Sequence, residues 1–234
     1  VPDWRRIANV NAPIGIFGGT FDPIHFGHLR LAQELAESMH MDEVRFMPGG
    51  TPPHRAVPQV TAAQRLAMAG LAIDGNPLFK IDDREVKRSG PGYTVDTLTE
   101  VRRELGGKRP LCLLLGADAF LELATWHRWH DLFALAHVVV AHRPGFPPES
   151  WPARMPEPLA REYSARLMHQ PFAVHLSPAG GIVTQAIAAL DISASMIRDS
   201  LARRVSPRYL LPDPVLDYIR SHGLYVTQEV NEAR

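Results

Sequence analysis

The run Gly18-Gly19-Thr20-Phe21-Asp22-Pro23-Ile24-His25-Phe26-Gly27-His28 carries the residue types that phosphate chemistry needs. It follows the apolar stretch Ile14–Phe17 directly, so the pattern predicts a strand that ends in two glycines and a helix that begins at the histidines. Glycine lets the backbone come close to a phosphate. The helix start turns its free N–H groups toward the anion. The imidazoles of His25 and His28, three residues apart, supply donors where negative charge builds up. The reading is a nucleoside triphosphate site built for nucleotidyl transfer. An acceptor phosphate or hydroxyl attacks the α-phosphorus; where it is already a phosphate it needs no general base, and the protein's share is positioning and charge stabilisation. The Gly-x-x-x-x-Gly-Lys-Ser/Thr, Gly-x-Gly-x-x-Gly and His-Glu-x-x-His patterns are all absent.

A second phosphate element is expected near the other end of the chain, in Asp191-Ile192-Ser193-Ala194-Ser195-Met196-Ile197-Arg198. Ser193 or Ser195 can cap a helix there and donate to phosphate oxygens. Arg198 returns to the same side of the first turn as Ser195, where its guanidinium can clamp the β- and γ-phosphates.

Further segments bear on the acceptor. Pro48-Gly49-Gly50-Thr51-Pro52-Pro53-His54-Arg55 follows a predicted strand. His54 and Arg55 suit the phosphate of a mononucleotide or the phosphates of ATP. Arg88 to Leu98 is a glycine-containing loop that opens a helix. Thr94 is its expected N-cap, and backbone N–H groups near Val95 can bind a carboxylate. Gly116 and Asp118 end a strand, and an acid there can accept ribose hydroxyls. In Trp126-His127-Arg128-Trp129, an exposed tryptophan can stack on a flat cationic pyridinium ring, while the other indole is expected in the core.

The elements that must position these groups alternate. Ile14–Phe17, Glu43–Pro48, Phe79–Asp82, Leu111–Gly116 and His137–Ala141 read as strands, mostly apolar throughout, as for strands covered on both faces. Leu29–Met39, Ala62–Ile73, Val95–Leu105 and Phe120–Leu135 have helical spacing between them. The pattern predicts an α/β fold with a doubly wound parallel sheet. Phe172–Leu176 is read as a late strand, and Ser195–Arg203 and Pro214–His222 as a small C-terminal helical part, with Asp213 capping the latter. Pro144 to Pro158 is read as an irregular surface excursion. The whole chain, 1–234, is taken as a single domain with residues 191–225 carrying the C-terminal phosphate-binding helix.

Composition narrows the classes. Lysine plus arginine balances aspartate plus glutamate at 25 each, which argues against a nucleic-acid coat or a membrane-surface protein. Cys112, the one cysteine, excludes an intrachain disulfide and is expected to be a buried small hydrophobe. No apolar run approaches the ~18 residues of a membrane span, and Val-Pro-Asp-Trp-Arg-Arg lacks a signal-peptide core. A cytoplasmic protein with no nucleic-acid or membrane partner is expected, with a homo-oligomer left open.

His25-Phe26-Gly27-His28 resembles the (His/Thr)-x-Gly-His signature of the nucleotidylyltransferase superfamily, and Ile192–Arg198 is similar to its Ile-Ser-x-(Ser/Thr)-x-Ile-Arg signature. Adding Pro52 to Arg55, Tyr93 to Leu98, Gly116 to Asp118, Trp126, His137 to Val139 and Arg143 to Gly145, the chain from about Gly15 to Tyr225 resembles the bacterial nicotinate-mononucleotide adenylyltransferase family. The resemblance implies a Rossmann-like nucleotidylyltransferase fold that transfers AMP from ATP to nicotinate mononucleotide, giving deamido-NAD and pyrophosphate. It places ATP on Gly18, Gly19, Thr20, Phe21, His25, His28, Gly116, Asp118, Ser193, Ser195 and Arg198. It places the nicotinate on Thr94, the backbone of Val95, Trp126 and His127, with His54 and Arg55 near phosphates. Mg²⁺ is expected to bridge the triphosphate oxygens mostly through water, with no protein metal site. Nicotinamide mononucleotide or phosphopantetheine as acceptor, and a non-catalytic nucleotide sensor on the same fold, are the alternatives. Residues 147–166 match no motif.

Overall fold

The computed structural model describes residues 12–50, 58–188 and 190–226. In chain order the elements are β1 (Ile14–Gly19), α1 (Phe26–Ser38), β2 (Glu43–Pro48), α2 (Ala62–Ile73), β3 (Phe79–Ile81), α3 (Arg84–Lys87), α4 (Thr94–Leu105), β4 (Leu111–Gly116), α5 (Ala117–Leu121), α6 (Leu132–Leu135), β5 (His137–His142), α7 (Glu157–Arg166), β6 (Leu167–Met168), β7 (Ile182–Ala186), α8 (Ala194–Ala202) and α9 (Asp213–Ser221). The strands form one sheet in the order β3-β2-β1-β4-β5-β7-β6, and every pairing is parallel. The chain runs outward from β1 to β3, then returns to place β4 against the other side of β1. The crevice beyond the carboxyl ends of β1 and β4 is therefore the switch point, where open α/β sheets bind ligands.

Alternation along each strand builds a core on both faces. Ile14 and Ile16 of β1 join Leu111, Leu113 and Leu115 of β4 under Val95, Leu98 and Val101 of α4. Phe17, Cys112 and Leu114 face the other way, toward Leu35 of α1, Met68 of α2 and Leu216 of α9. Burying each large apolar side chain contributes roughly 1.5–3 kcal/mol. Cys112 is fully buried, and burial pushes its thiol up, out of reach of ionisation at neutral pH. At the start of α2, Thr61 Oγ1 accepts from the Gln64 N–H at 3.2 Å while Gln64 Oε1 accepts from the Thr61 N–H at 2.9 Å. This reciprocal cap satisfies two orphan donors.

The structure corrects several expectations. Phe172–Leu176 is not a strand. Pro171–His175 forms a 3₁₀ turn with proline at its start, and the late strand is the β-branched run at β7. The helix expected over Phe120–Leu135 is broken into α5, two 3₁₀ turns and α6, and Arg128 stands at φ 51° in the break. Pro144 to Pro158 runs mostly over the surface as expected, but it is anchored: Trp151 is fully buried and packs against Phe120 and Tyr163. Thr94 is the first residue of α4 and Tyr93 its N-cap. Asp213 likewise sits inside α9, behind Pro212 as the N-cap.

Candidate active site

β1 ends at Gly19, and the loop beyond it turns sharply. Phe21 lies in the left-handed region at φ 50°, and its ring occupies the space of a Gly19 Cβ, 2.7 Å from where that atom would stand. Any side chain at position 19 would displace the ring. Phe21 is buried and meets His28 edge-on, with centroids 5.1 Å apart. Its ring therefore supports the histidine from below, and only its backbone is available to a nucleotide.

His25 caps α1, and its N–H donates to His28 Nδ1 at 3.3 Å. An Nδ1 that accepts puts the proton of neutral His28 on Nε2, which makes that atom a donor. The two rings lie nearly on top of one another, with centroids 3.8 Å apart. His25 is buried, and its Nδ1 has no partner among the described residues. Burial lowers its pKa to about 4, so it is a neutral imidazole at physiological pH.

The C-terminal element closes over this loop. Ser193 caps α8, its Oγ accepting from the Met196 N–H at 3.1 Å. Ser195 is the residue that faces Arg198. Arg198 Nη2 donates to Ser195 Oγ at 3.2 Å, and Nη1 donates to the Asp22 carbonyl at 2.6 Å. The guanidinium is thus already fixed against the phosphate loop.

The loop is also pinned by residues that sequence reading missed. The Asp22 carboxylate accepts from the Tyr225 hydroxyl at 2.7 Å and from the Gln59 N–H at 3.0 Å. Burial, reinforced by Asp22, holds the Tyr225 phenol well above its usual range. Arg65, nearly fully buried, donates Nη1 to the Thr20 carbonyl at 2.7 Å and Nη2 to the Gly50 carbonyl at 2.8 Å. It therefore staples the loop after β1 to the turn after β2. A signal for Arg65 exists in the sequence: it occupies the same helical stripe as the buried Met68 and Ala69, where an arginine needs a reason. Tyr225 offers none.

On the other side of the switch point lies a cleft of about 260 Å³. Gly18, Gly19 and Thr20 line it, as do Thr94, Trp126 and His127. The break in the predicted long helix is what delivers Trp126 and His127 here. Trp126 is half-buried on the cleft wall, whereas Trp129 belongs to the core. His127 stacks on Tyr93, with centroids 4.3 Å apart. Thr94 and Val95 open α4, so their N–H groups lack intrahelical acceptors. The Val95 side chain itself is buried, and its backbone is the part available to a ligand. Gly116 ends β4, and Asp118 is exposed in the first turn of α5, beside the cleft-lining Ala119. His54 and Arg55 lie outside the described residues.

Residues 16–200 match the cytidylyltransferase-like family. A protein of Dechloromonas aromatica named probable nicotinate-nucleotide adenylyltransferase is 56% identical over 216 residues, covering 92% of this chain and 99% of its own length. The chain belongs to the nicotinate-nucleotide adenylyltransferase family. An Aeromonas hydrophila protein of the same name is 47% identical over 91% of this chain and 97% of its own. Among solved structures, Plasmodium falciparum nicotinic acid mononucleotide adenylyltransferase complexed with NaAD superposes with a TM-score of 0.68 at 19% identity, over 92% of this chain and 98% of that one. At that identity the match speaks for the fold.

For this member of the adenylyltransferase family, the buried imidazoles set an acid limit. His137 and His175, like His25, have pKa values lowered by burial. An unfolded histidine takes its proton near pH ~6.5, while folded His25 resists until about 4. Protons therefore favour the unfolded chain in that window. Stability is complete above the unfolded value and falls as the pH drops through it, with His25 alone contributing a slope of up to ~1.4 kcal/mol per pH unit. Urea midpoints at pH 7.5 and 5 check this, and equal midpoints would contradict it.

Proposed function

We propose that the chain transfers AMP from ATP to nicotinate mononucleotide. An oxygen of the mononucleotide phosphate attacks the α-phosphorus. The bond from that phosphorus to the bridging oxygen breaks, pyrophosphate leaves, and nicotinate adenine dinucleotide (deamido-NAD) forms. The observation that carries this reading is the continuity of one cleft from the phosphate loop at Gly18–Thr20 to the helix start at Thr94 and the indole of Trp126.

On this reading His28 Nε2–H donates to the α-phosphate as its charge grows, and His25 stands beside it. Arg198 and Ser195 take the oxygens of the departing pyrophosphate. The N–H groups of Thr94 and Val95 take the nicotinate carboxylate, and Trp126 stacks on the pyridinium. Gly116 and Asp118 are assigned to ATP, and His54 and Arg55 to phosphates. The carboxylate of the phosphate loop, Asp22, is already engaged by Tyr225 and Gln59. That supports holding Mg²⁺ through triphosphate oxygens and water, where it supplies further charge neutralisation.

The test is pyrophosphate release with ATP, Mg²⁺ and, separately, nicotinate mononucleotide, nicotinamide mononucleotide and phosphopantetheine. Preference for the first is expected. Equal use of the two pyridine mononucleotides would discard the carboxylate site, and no release with any of them would favour a nucleotide sensor. Trp126→Ala should raise the acceptor KM by about tenfold, the worth of one aromatic stacking contact, and leave the KM for ATP nearly unchanged. Equal effects on both would remove the stacking role.

A further inference from the structure

The cleft holds a carboxylate that the reaction as described does not use. Glu85, on α3, is half-buried and lines the cleft. Its Oε1 accepts from the Thr97 hydroxyl at 2.6 Å. Its Oε2 has no hydrogen-bond partner among the described residues. That oxygen points between two glycines: it lies 3.4 Å from where a Gly92 Cβ would be and 3.7 Å from where a Gly49 Cβ would be. Space is kept here by sequence. At Gly50 a Cβ would come within 2.3 Å of the Glu85 carbonyl, so only glycine lets the turn after β2 pack on α3. Arg88, whose charge acts on Glu85, donates to Thr97 Oγ1 at 3.0 Å and to Glu100 at 2.8 Å. Burial raises the Glu85 pKa, opposed by the Thr97 hydroxyl and the Arg88 charge.

We propose that Glu85 Oε2 accepts a hydrogen bond from a ribose hydroxyl of the acceptor mononucleotide, and that this bond selects ribonucleotide acceptors. The inference rests on the acceptor reading above. Glu85 stands between the two ends of the cleft. Gly49, beside it, is tied to the phosphate loop through its N–H to the Gly19 carbonyl at 2.9 Å, and Gly92 precedes Thr94 by two residues. The phosphate and the ring carboxylate of nicotinate mononucleotide are anionic and are repelled by a carboxylate, and the cationic pyridinium has no N–H or O–H to donate. The ribose between them carries hydroxyls that are donors, and an ionised carboxylate only accepts. Thr97 fixes the carboxylate in a single orientation, so the ordering cost is met before the acceptor arrives.

The experiment compares nicotinate mononucleotide with its 2′-deoxy and 3′-deoxy forms, using ATP and the full chain, in the unaltered protein, Glu85→Ala and Glu85→Gln. In the unaltered protein, loss of the bonded hydroxyl should lower kcat/KM by ~10- to 100-fold, the worth of a hydrogen bond to a charged group. In Glu85→Ala the ribo and deoxy acceptors should be used equally, with the KM for ATP unchanged. Glu85→Gln keeps the shape and the Thr97 contact, and it should show reduced discrimination even if the alanine variant does not fold. Turnover with full discrimination in the variants would overturn the proposal alone, as would an unaltered protein indifferent to both hydroxyls. No turnover of nicotinate mononucleotide by the unaltered protein would overturn the acceptor reading and the proposal with it.

Discussion

His28→Ala should lower kcat by ~10²–10³-fold, the usual loss when one preorganised donor to a developing oxyanion is removed. The size follows from how the ring is held. Its Nδ1 accepts from the His25 N–H, Phe21 braces it edge-on, and Phe17 lies 6.2 Å away, centroid to centroid. A donor fixed this way need not reorganise as the α-phosphate gains charge. The substitution leaves the loop backbone proposed to hold the triphosphate unchanged, so the KM for ATP should change far less than kcat. Structural damage should be small, because the loss is one part-buried hydrogen bond worth about 1 kcal/mol. Steady-state pyrophosphate release and a thermal melt separate the two effects. A variant that turns over within tenfold of the unaltered protein would remove His28 from the chemistry.

Arg198→Ala should have the second-largest effect, a fall of ~10²-fold in kcat/KM for ATP with the acceptor KM held. The guanidinium spans from Ser195 to the Asp22 carbonyl, so it organises the site as well as charging it. Arg198→Lys tests the geometry apart from the charge. An ammonium on a flexible stem cannot hold both partners and a phosphate oxygen in one plane, and lysine should restore less than a tenth of the lost activity. Full recovery by lysine would mean that Arg198 acts only as a point charge.

What the sequence disclosed and what it withheld have separate physical causes. The five early strands and the parallel sheet were legible because strands covered on both faces read as continuous apolar runs. The phosphate loop, the capped α8 and the Ser195–Arg198 pairing were legible because they are local: each depends on neighbours within one or two helical turns. The late strand was misplaced because a proline that opens a 3₁₀ turn and a short apolar run look alike at that length. The anchor at Trp151 is not legible in the surface segment Pro144 to Pro158, because the prolines around it hide a single aromatic residue. Glu85 and Tyr225 were invisible for a different reason, and the helical stripe that marks Arg65 as buried does not name its partners. The partners of Glu85, Arg65 and Tyr225 are Thr97, Thr20 with Gly50, and Asp22, at separations of 12, 45 with 15, and 203 residues, and no spacing rule reaches across a sheet.

The tie between Tyr225 and Asp22 joins the two ends of the described chain. The loop after β1 comes from one of the earliest elements, but the hydroxyl that locks its aspartate arrives 203 residues later. Contacts of such sequence separation form after the intervening chain has been ordered. A chain caught with its sheet assembled and its last helix undocked would carry every residue assigned to the reaction and still lack a finished phosphate loop. The loop after β1 is therefore completed from the far end of the described chain.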